Sequence, residues 1–150
     1  MKEHNIKSEL EVFNLSAWWI VDSMIAQGLV DPPYWCQIVF NQWGSGNTST
    51  PLQFLAMVGG MSEESMFSST SIGSTMNSLL AIGIIHGGHA RVGSEDNVYM
   101  SRSVKAKSNA QYCGWAVRLI HELGREVATP AQAREMFNIF NISVTPRLYP

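Results

Sequence analysis

The sequence has little of what would place it in several broad classes. It carries only two cysteines, Cys36 and Cys113, far apart and in no metal or redox spacing. That excludes a disulfide scaffold or a cysteine-based metal centre and suits thiols kept reduced in a cytoplasm. Long apolar runs are missing: the longest, Leu79 to Ile85, is seven residues, against the roughly 20 of a membrane helix. The amino terminus, Met-Lys-Glu-His-Asn, is polar and lacks the apolar stretch of a signal peptide, so a cytoplasmic location without membrane contact is expected. An excess of one charge is missing too. Ten Lys+Arg stand against twelve Asp+Glu, a net charge of −2, so nucleic acid is not expected as a partner. Aromatic residues, by contrast, are plentiful: five Trp, six Phe and four Tyr would be costly to leave in water, which argues against disorder. With 45% hydrophobic residues in 150, one domain with a sizeable core is expected over residues 1–150.

No linker divides the chain, and strand-like runs alternate with helix-like ones. Glu9-Leu-Glu-Val-Phe13 alternates polar and apolar residues, the mark of a strand with two unlike faces. Leu15 to Gln27 reads as a helix capped by Asn14 and stopped by Gly28. Cys36 to Phe40 reads as a second strand. Thr50-Pro51 opens a helix to about Val58, with Thr as cap and Pro in the first turn. A weaker third strand falls near Met66 to Ser71, followed by a helix from about Ser74 to Ile85. His89 to Gly93 is the fourth strand. Ser108-Asn-Ala-Gln111 has capping-box spacing and opens a helix ending near Leu123-Gly124. Thr129-Pro-Ala-Gln132 repeats that signature for a short last helix, and residues 140–150 read as a tail. Four successive strand–helix units imply an α/β fold with a parallel sheet. Two architectures fit: a small open doubly wound sheet, or part of an eight-unit barrel, of which 150 residues supply only about half.

The segment richest in chemistry is His86-Gly-Gly-His-Ala-Arg-Val-Gly-Ser-Glu-Asp-Asn97. In a strand over His89 to Gly93, His89, Arg91 and Gly93 share one face, and Ala90 and Val92 share the side covered by helices. Glu95 continues the Arg91 register beyond the strand's carboxyl end, and Asp96 and Asn97 follow in the loop, at the edge where α/β active sites gather. One carboxylate there can be a hard oxygen ligand for a divalent metal. Another, held by the guanidinium, can act as general base. A solvated Arg-Glu-Asp network is the plain alternative. Glu9 and Glu11 are two apart and share a face, where two carboxylates need a partner, water or a cation. An edge strand with a solvated face explains them equally well. His86 and His89 fall on no common face, which speaks against a metal pair. Asn41 to Gly46 is a glycine-containing loop without the P-loop Lys-Ser/Thr. Ser68 to Ser71 suits a strand end, and Trp18-Trp19 suits core or subunit contact.

These residues also carry a resemblance. Gly87-Gly-His-Ala-Arg-Val-Gly-Ser-Glu-Asp-Asn97 resembles the signature of the β-keto acid cleavage enzymes, of the 3-keto-5-aminohexanoate cleavage type. Ser108-Asn-Ala110 and Leu123-Gly-Arg-Glu-Val-Ala-Thr-Pro-Ala-Gln-Ala-Arg-Glu135 resemble that family's carboxyl-terminal helices. Glu9 to Phe13 resembles its fifth barrel strand, and Ser71-Ile-Gly73 a turn before its eighth. The likeness spans about Lys7 to Ile139.

The resemblance implies a TIM (β/α)8 barrel, of which this chain holds the last four units. It implies a divalent metal, usually Zn2+, bound by two histidines and a glutamate, and acetyl-CoA as co-substrate. The reaction condenses a β-keto acid with acetyl-CoA and releases acetoacetate and a new CoA thioester. By position, Glu95 would be the metal ligand, Asp96 the base and Arg91 its orienter. One of Glu9 and Glu11 would match a further active-site glutamate. The family's metal-binding histidines belong to an early strand, and His4, His86, His89 and His121 lie in other contexts. Ser8 stands where a proline is usual, and Met66-Phe67 where a tryptophan is. Half a barrel would leave two sheet edges and a large apolar inner face exposed. The leading expectation is therefore a catalytic half, inactive alone, completed by an amino-terminal half or within a homo-oligomer. The alternatives are a non-catalytic remnant or assembly module, and a nucleotide-binding domain using Trp43 to Gly46.

Overall fold

A computed structural model describes residues 1–4 and 6–139; the tail expected over 140–150 lies outside the described residues. Four parallel strands form the main sheet: β1 Glu9–Val12, β2 Tyr34–Phe40, β3 Ser65–Ser71 and β4 His89–Ala90, in the order β1-β2-β3-β4. Each strand is laid beside its predecessor. A doubly wound sheet needs a point where strand order reverses, and the described strands show no such reversal.

The register sorts side chains onto two faces. Leu10 pairs with Cys36 and Cys36 with Phe67; Val12 pairs with Ile38. These residues, with Phe40, form one core with Trp18 and Val21 of α1 (Ala17–Ala26), Phe54 and Met57 of α2 (Pro51–Gly59) and Leu79 of α3 (Met76–Ile85). The other face carries the row Glu9, Trp35, Met66 and the row Glu11, Gln37, Ser68, His89. The inner face expected to be apolar is thus largely polar, and Gln37, Ser68 and Thr70 are buried within it.

Local chemistry starts and stops the helices as the sequence leads one to expect. Asn14 Oδ1 accepts the Ala17 N–H at 3.1 Å, and α1 runs out at Gly28, whose φ of 64° only glycine adopts cheaply. Thr50 caps α2, and Ser108 caps α4 (Asn109–Glu122). Thr129 and Gln132 close a full capping box on α5 (Pro130–Met136). α4 lays Ala116 and Trp115 against Leu80 and Ile84 of α3. The polar third strand has a packing reason: a Cβ on Gly83 of α3 would sit 2.5 Å from Ser69 Oγ. Only small residues let that helix lie so close.

Two expectations are corrected. The fourth strand ends at Ala90, three residues before Gly93, and Ala90 is exposed rather than covered by helices. The chain leaves the sheet because it turns back: the Asp96 and Asn97 N–H groups both reach Gly93 O at 3.3 Å. The Gly73 N–H then takes Asp96 O at 2.8 Å, tying the turn to the β3–α3 loop. The segment read as a loop after it holds an antiparallel hairpin, β5 Tyr99–Ser101 with β6 Val104–Lys105.

Candidate functional site

The turn after β4 gathers the site at the carboxyl edge of the sheet. Arg91 is its hub. Its Nε and Nη2 donate to Asp96 Oδ2 and Oδ1 at 3.2 and 3.3 Å, a two-pronged grip. Nη1 reaches Glu11 Oε1 and Nη2 reaches Glu95 Oε2, each at 3.4 Å. Thr70 Oγ1 adds a bond of 2.9 Å to Asp96 Oδ2. Asp96 is therefore held from three donors, and its side chain is only 3% exposed. Glu95, one residue earlier, is 86% exposed. Neighbours in sequence have opposite environments because the turn aims one inward and the other at solvent. Burial alone would lower the Arg91 pKa, but the carboxylates of Asp96, Glu95 and Glu11 outweigh it and hold the guanidinium above its ordinary value.

The structure brings together four of the five residues picked out in the sequence: Arg91, Glu11, Glu95 and Asp96. Glu9 shares the face of Glu11 but makes no ion pair or hydrogen bond among the described residues, so geometry separates the two glutamates. Glu95 does not continue the strand register; it reaches Arg91 from the turn. His86 and His89 stay apart. His86 sits at the end of α3 against Phe54. His89 packs edge-on against Trp35, whose ring also meets Phe137 at 4.8 Å. Burial lowers the His89 pKa and the charge of Arg125 adds to this.

Among the described residues no three His, Cys, Asp or Glu side chains are grouped to hold a metal. Glu95 is a largely solvated carboxylate paired with Arg91, and a zinc site takes about three protein ligands. These residues do not by themselves fit a bound metal.

Sequence reasoning passed over Thr70, which lies in a run read as an ordinary strand end. Its signal was parity: Ser68 and Thr70 share one face of β3, and Ser69 and Ser71 the other. Ser68 donates to Gln37 Oε1 on that same inner face. Tyr112 was missed as well. The Tyr112 hydroxyl donates to Asn97 O, pinning the turn to α4. Beside Glu95 and Asp96 opens a cavity of about 1140 Å3, walled by the β3–α3 loop and the hairpin. The loop from Asn41 to Gly46 follows β2 at the same carboxyl edge, where Asn41 Nδ2 donates to Ser71 Oγ at 3.2 Å and Thr75 Oγ1 at 2.8 Å, but none of its residues lines the cavity. The loop is closed by an Asn41 N–H to Asn47 O bond of 2.7 Å, and its Trp43 is fully in solvent.

Residues 1–139 match the sequence model of the β-keto acid cleavage enzymes. The chain is similar to a 3-keto-5-aminohexanoate cleavage enzyme of Acetoanaerobium sticklandii, 37% identical over 139 residues, covering 93% of this chain and 50% of that protein. It is 34% identical over 140 residues to a protein of the same name from Fusobacterium nucleatum, covering 91% and 49%. A 3-oxoadipate:acetyl-CoA acetyltransferase of Cupriavidus necator is 28% identical over 149 residues, covering 98% and 52%. The chain spans about half the length of the curated relatives it matches.

Proposed function

The chain belongs to the β-keto acid cleavage enzyme family, and from that premise we propose that it supplies the acid–base half of an active site that condenses a β-keto acid with acetyl-CoA. The products are acetoacetate and a new CoA thioester. The observation that carries this reading is the Arg91 hub, which holds one buried and two exposed carboxylates at the carboxyl edge of a parallel sheet. Asp96 is the base that takes the proton whose removal creates the attacking carbon nucleophile. Arg91 orients Asp96 by its two-pronged grip, and Thr70 fixes the same carboxylate from the sheet side. Glu11, not Glu9, is the further active-site glutamate. Its carboxylate shares the guanidinium and so senses the charge on Asp96.

The sheet is then the last four units of a TIM barrel, with its polar face turned to the barrel interior. Completion by an amino-terminal half, or assembly with further copies in the cytoplasm, closes the ring. Glu95 would be one oxygen ligand of a Zn2+ ion whose histidine ligands belong to that other half. Glutamate exposure at the mouth suits a ligand awaiting partners.

The test is acetoacetate release from a panel of β-keto acids with acetyl-CoA, with this chain alone and with a polypeptide matching the unmatched half of the relatives. Turnover with the pair that drops by about 100-fold or more in Asp96→Asn is expected for loss of a general base. Turnover indifferent to that change removes Asp96 from its role. The absence of a three-ligand metal group among the described residues favours a second reading, a non-catalytic assembly module. A discrete, zinc-free oligomer that stays inactive with the partner polypeptide would establish it.

A further inference from the structure

The cavity beside Glu95 and Asp96 has a second, cationic wall that the acid–base reading leaves unused. No Asp or Glu stands between Asp96 and Glu122, whereas Arg102, Lys105, Lys107 and Arg118 do. In a chain with more acids than bases, that is a local reversal of sign. The hairpin projects two of these cations, Arg102 and Lys105, into the cavity lining. Neither is in an ion pair with an acid among the described residues, unlike Arg91, which has three. Around them the lining is hydroxyl and flat apolar surface, Ser101, Ser103 and the half-exposed Tyr99 ring, with the Lys105 ammonium 6.0 Å from that ring's centre. About 1140 Å3 is ample for an extended ligand.

We infer that this cavity seats the phosphorylated nucleotide end of a CoA thioester, with Arg102 and Lys105 of the hairpin as its phosphate ligands. Unpaired guanidinium and ammonium groups bind phosphate by charge-assisted hydrogen bonds, and Tyr99 offers an aromatic face for a base. The pantetheine arm then runs along the cavity toward Asp96. The inference rests on the acetyl-CoA reading above for the identity of the ligand, but on the hairpin alone for its place.

The experiment is calorimetric titration of the 150-residue chain with CoA and, separately, with pantetheine, which lacks the nucleotide. CoA is expected to bind more tightly than pantetheine and to weaken as salt is raised. The double variant Arg102→Ala/Lys105→Ala is expected to lose about tenfold or more in CoA affinity, with pantetheine binding unchanged and circular dichroism as for the parent. Equal binding of CoA by variant and parent, or a parent that prefers CoA no more than pantetheine, overturns the inference. The two readings fail separately. Cation-dependent CoA binding without acetoacetate formation keeps this site and sinks the reaction. Acetoacetate formation whose KM for acetyl-CoA ignores the double substitution does the reverse.

Discussion

At the scale of single residues, the site turns on how one carboxylate is held. Asp96 Oδ2 receives both Thr70 Oγ1 and Arg91 Nε, and Oδ1 receives Arg91 Nη2. Thr70→Val keeps the shape and removes one donor. It should lower kcat of the completed enzyme by about tenfold with KM little changed, and Thr70→Ser, which keeps the donor, should restore most of the loss. A fall in kcat that Thr70→Ser leaves unrestored would make Thr70 merely structural. His89 gives a second prediction. Its folded pKa lies below its ordinary 6.5 because burial and Arg125 disfavour the charged ring. The unfolded chain therefore binds the proton first as pH falls, and stability is lost on acidification starting near 6.5, at up to about 1.4 kcal/mol per pH unit. His89→Asn should flatten that slope in urea melts at stepped pH, whatever it does to stability at neutrality. Arg91, Glu95 and Asp96 were readable from their clustering, whereas spacing offered Glu9 and Glu11 alike and only the contact with Arg91 separates them. Thr70 was not readable, because a hydroxyl in a run of four hydroxyls has no distinguishing neighbour until the turn after β4 brings a carboxylate from 26 residues away.

Among the elements, legibility followed local chemistry. α1, α2, α4 and α5 were visible because side-chain caps act within three residues of sequence. β1 was visible because one face is wet and the other greasy. The hairpin β5–β6 was invisible: its turn uses Ser103 at φ 64°, without the glycine or asparagine that announces such turns. β4 was overextended because its departure is dictated by the Gly73–Asp96 backbone bond, a long-range contact. β3 was faint because its hydroxyls serve close helix packing. That last point is testable. Ser69 Oγ is buried without a hydrogen-bond partner among the described residues, so Ser69→Ala should be neutral or slightly stabilising. Gly83→Ala alone should cost about 1–3 kcal/mol from overpacking against that oxygen. In the Ser69→Ala background the same change should instead approach the gain of up to about 1 kcal/mol that alanine brings to a helix interior. Thermal melts of the four proteins give the cycle, and additivity would mean that the two residues do not touch.

For the whole molecule, the decisive fact is that the sheet is one-sided and open. Helices cover one face with an apolar core, while the opposite face holds Glu9, Glu11, Gln37 and Ser68. β1 and β4 sit at the two ends of the strand order, each paired on one side only among the described residues. An open edge leaves main-chain donors and acceptors free to recruit another strand. On the outer side, Trp19 and Ile20 of α1 and Leu52 and Leu55 of α2 are exposed, the first at 76% and Leu52 at 80%. A polypeptide matching the other half of the relatives would satisfy both edges at once and enclose the polar face, whereas a copy of this chain could add strands only in a register set by β1 and β4 themselves. Mixing the two halves should therefore give a discrete complex by size-exclusion chromatography, with slower amide exchange at Glu9–Val12 and His89–Ala90 and a higher Tm than either part. A chain that is monomeric alone, binds no partner half and already protects those edge amides would contradict the barrel reading at its root, because edges that need no neighbour do not belong to an unfinished ring.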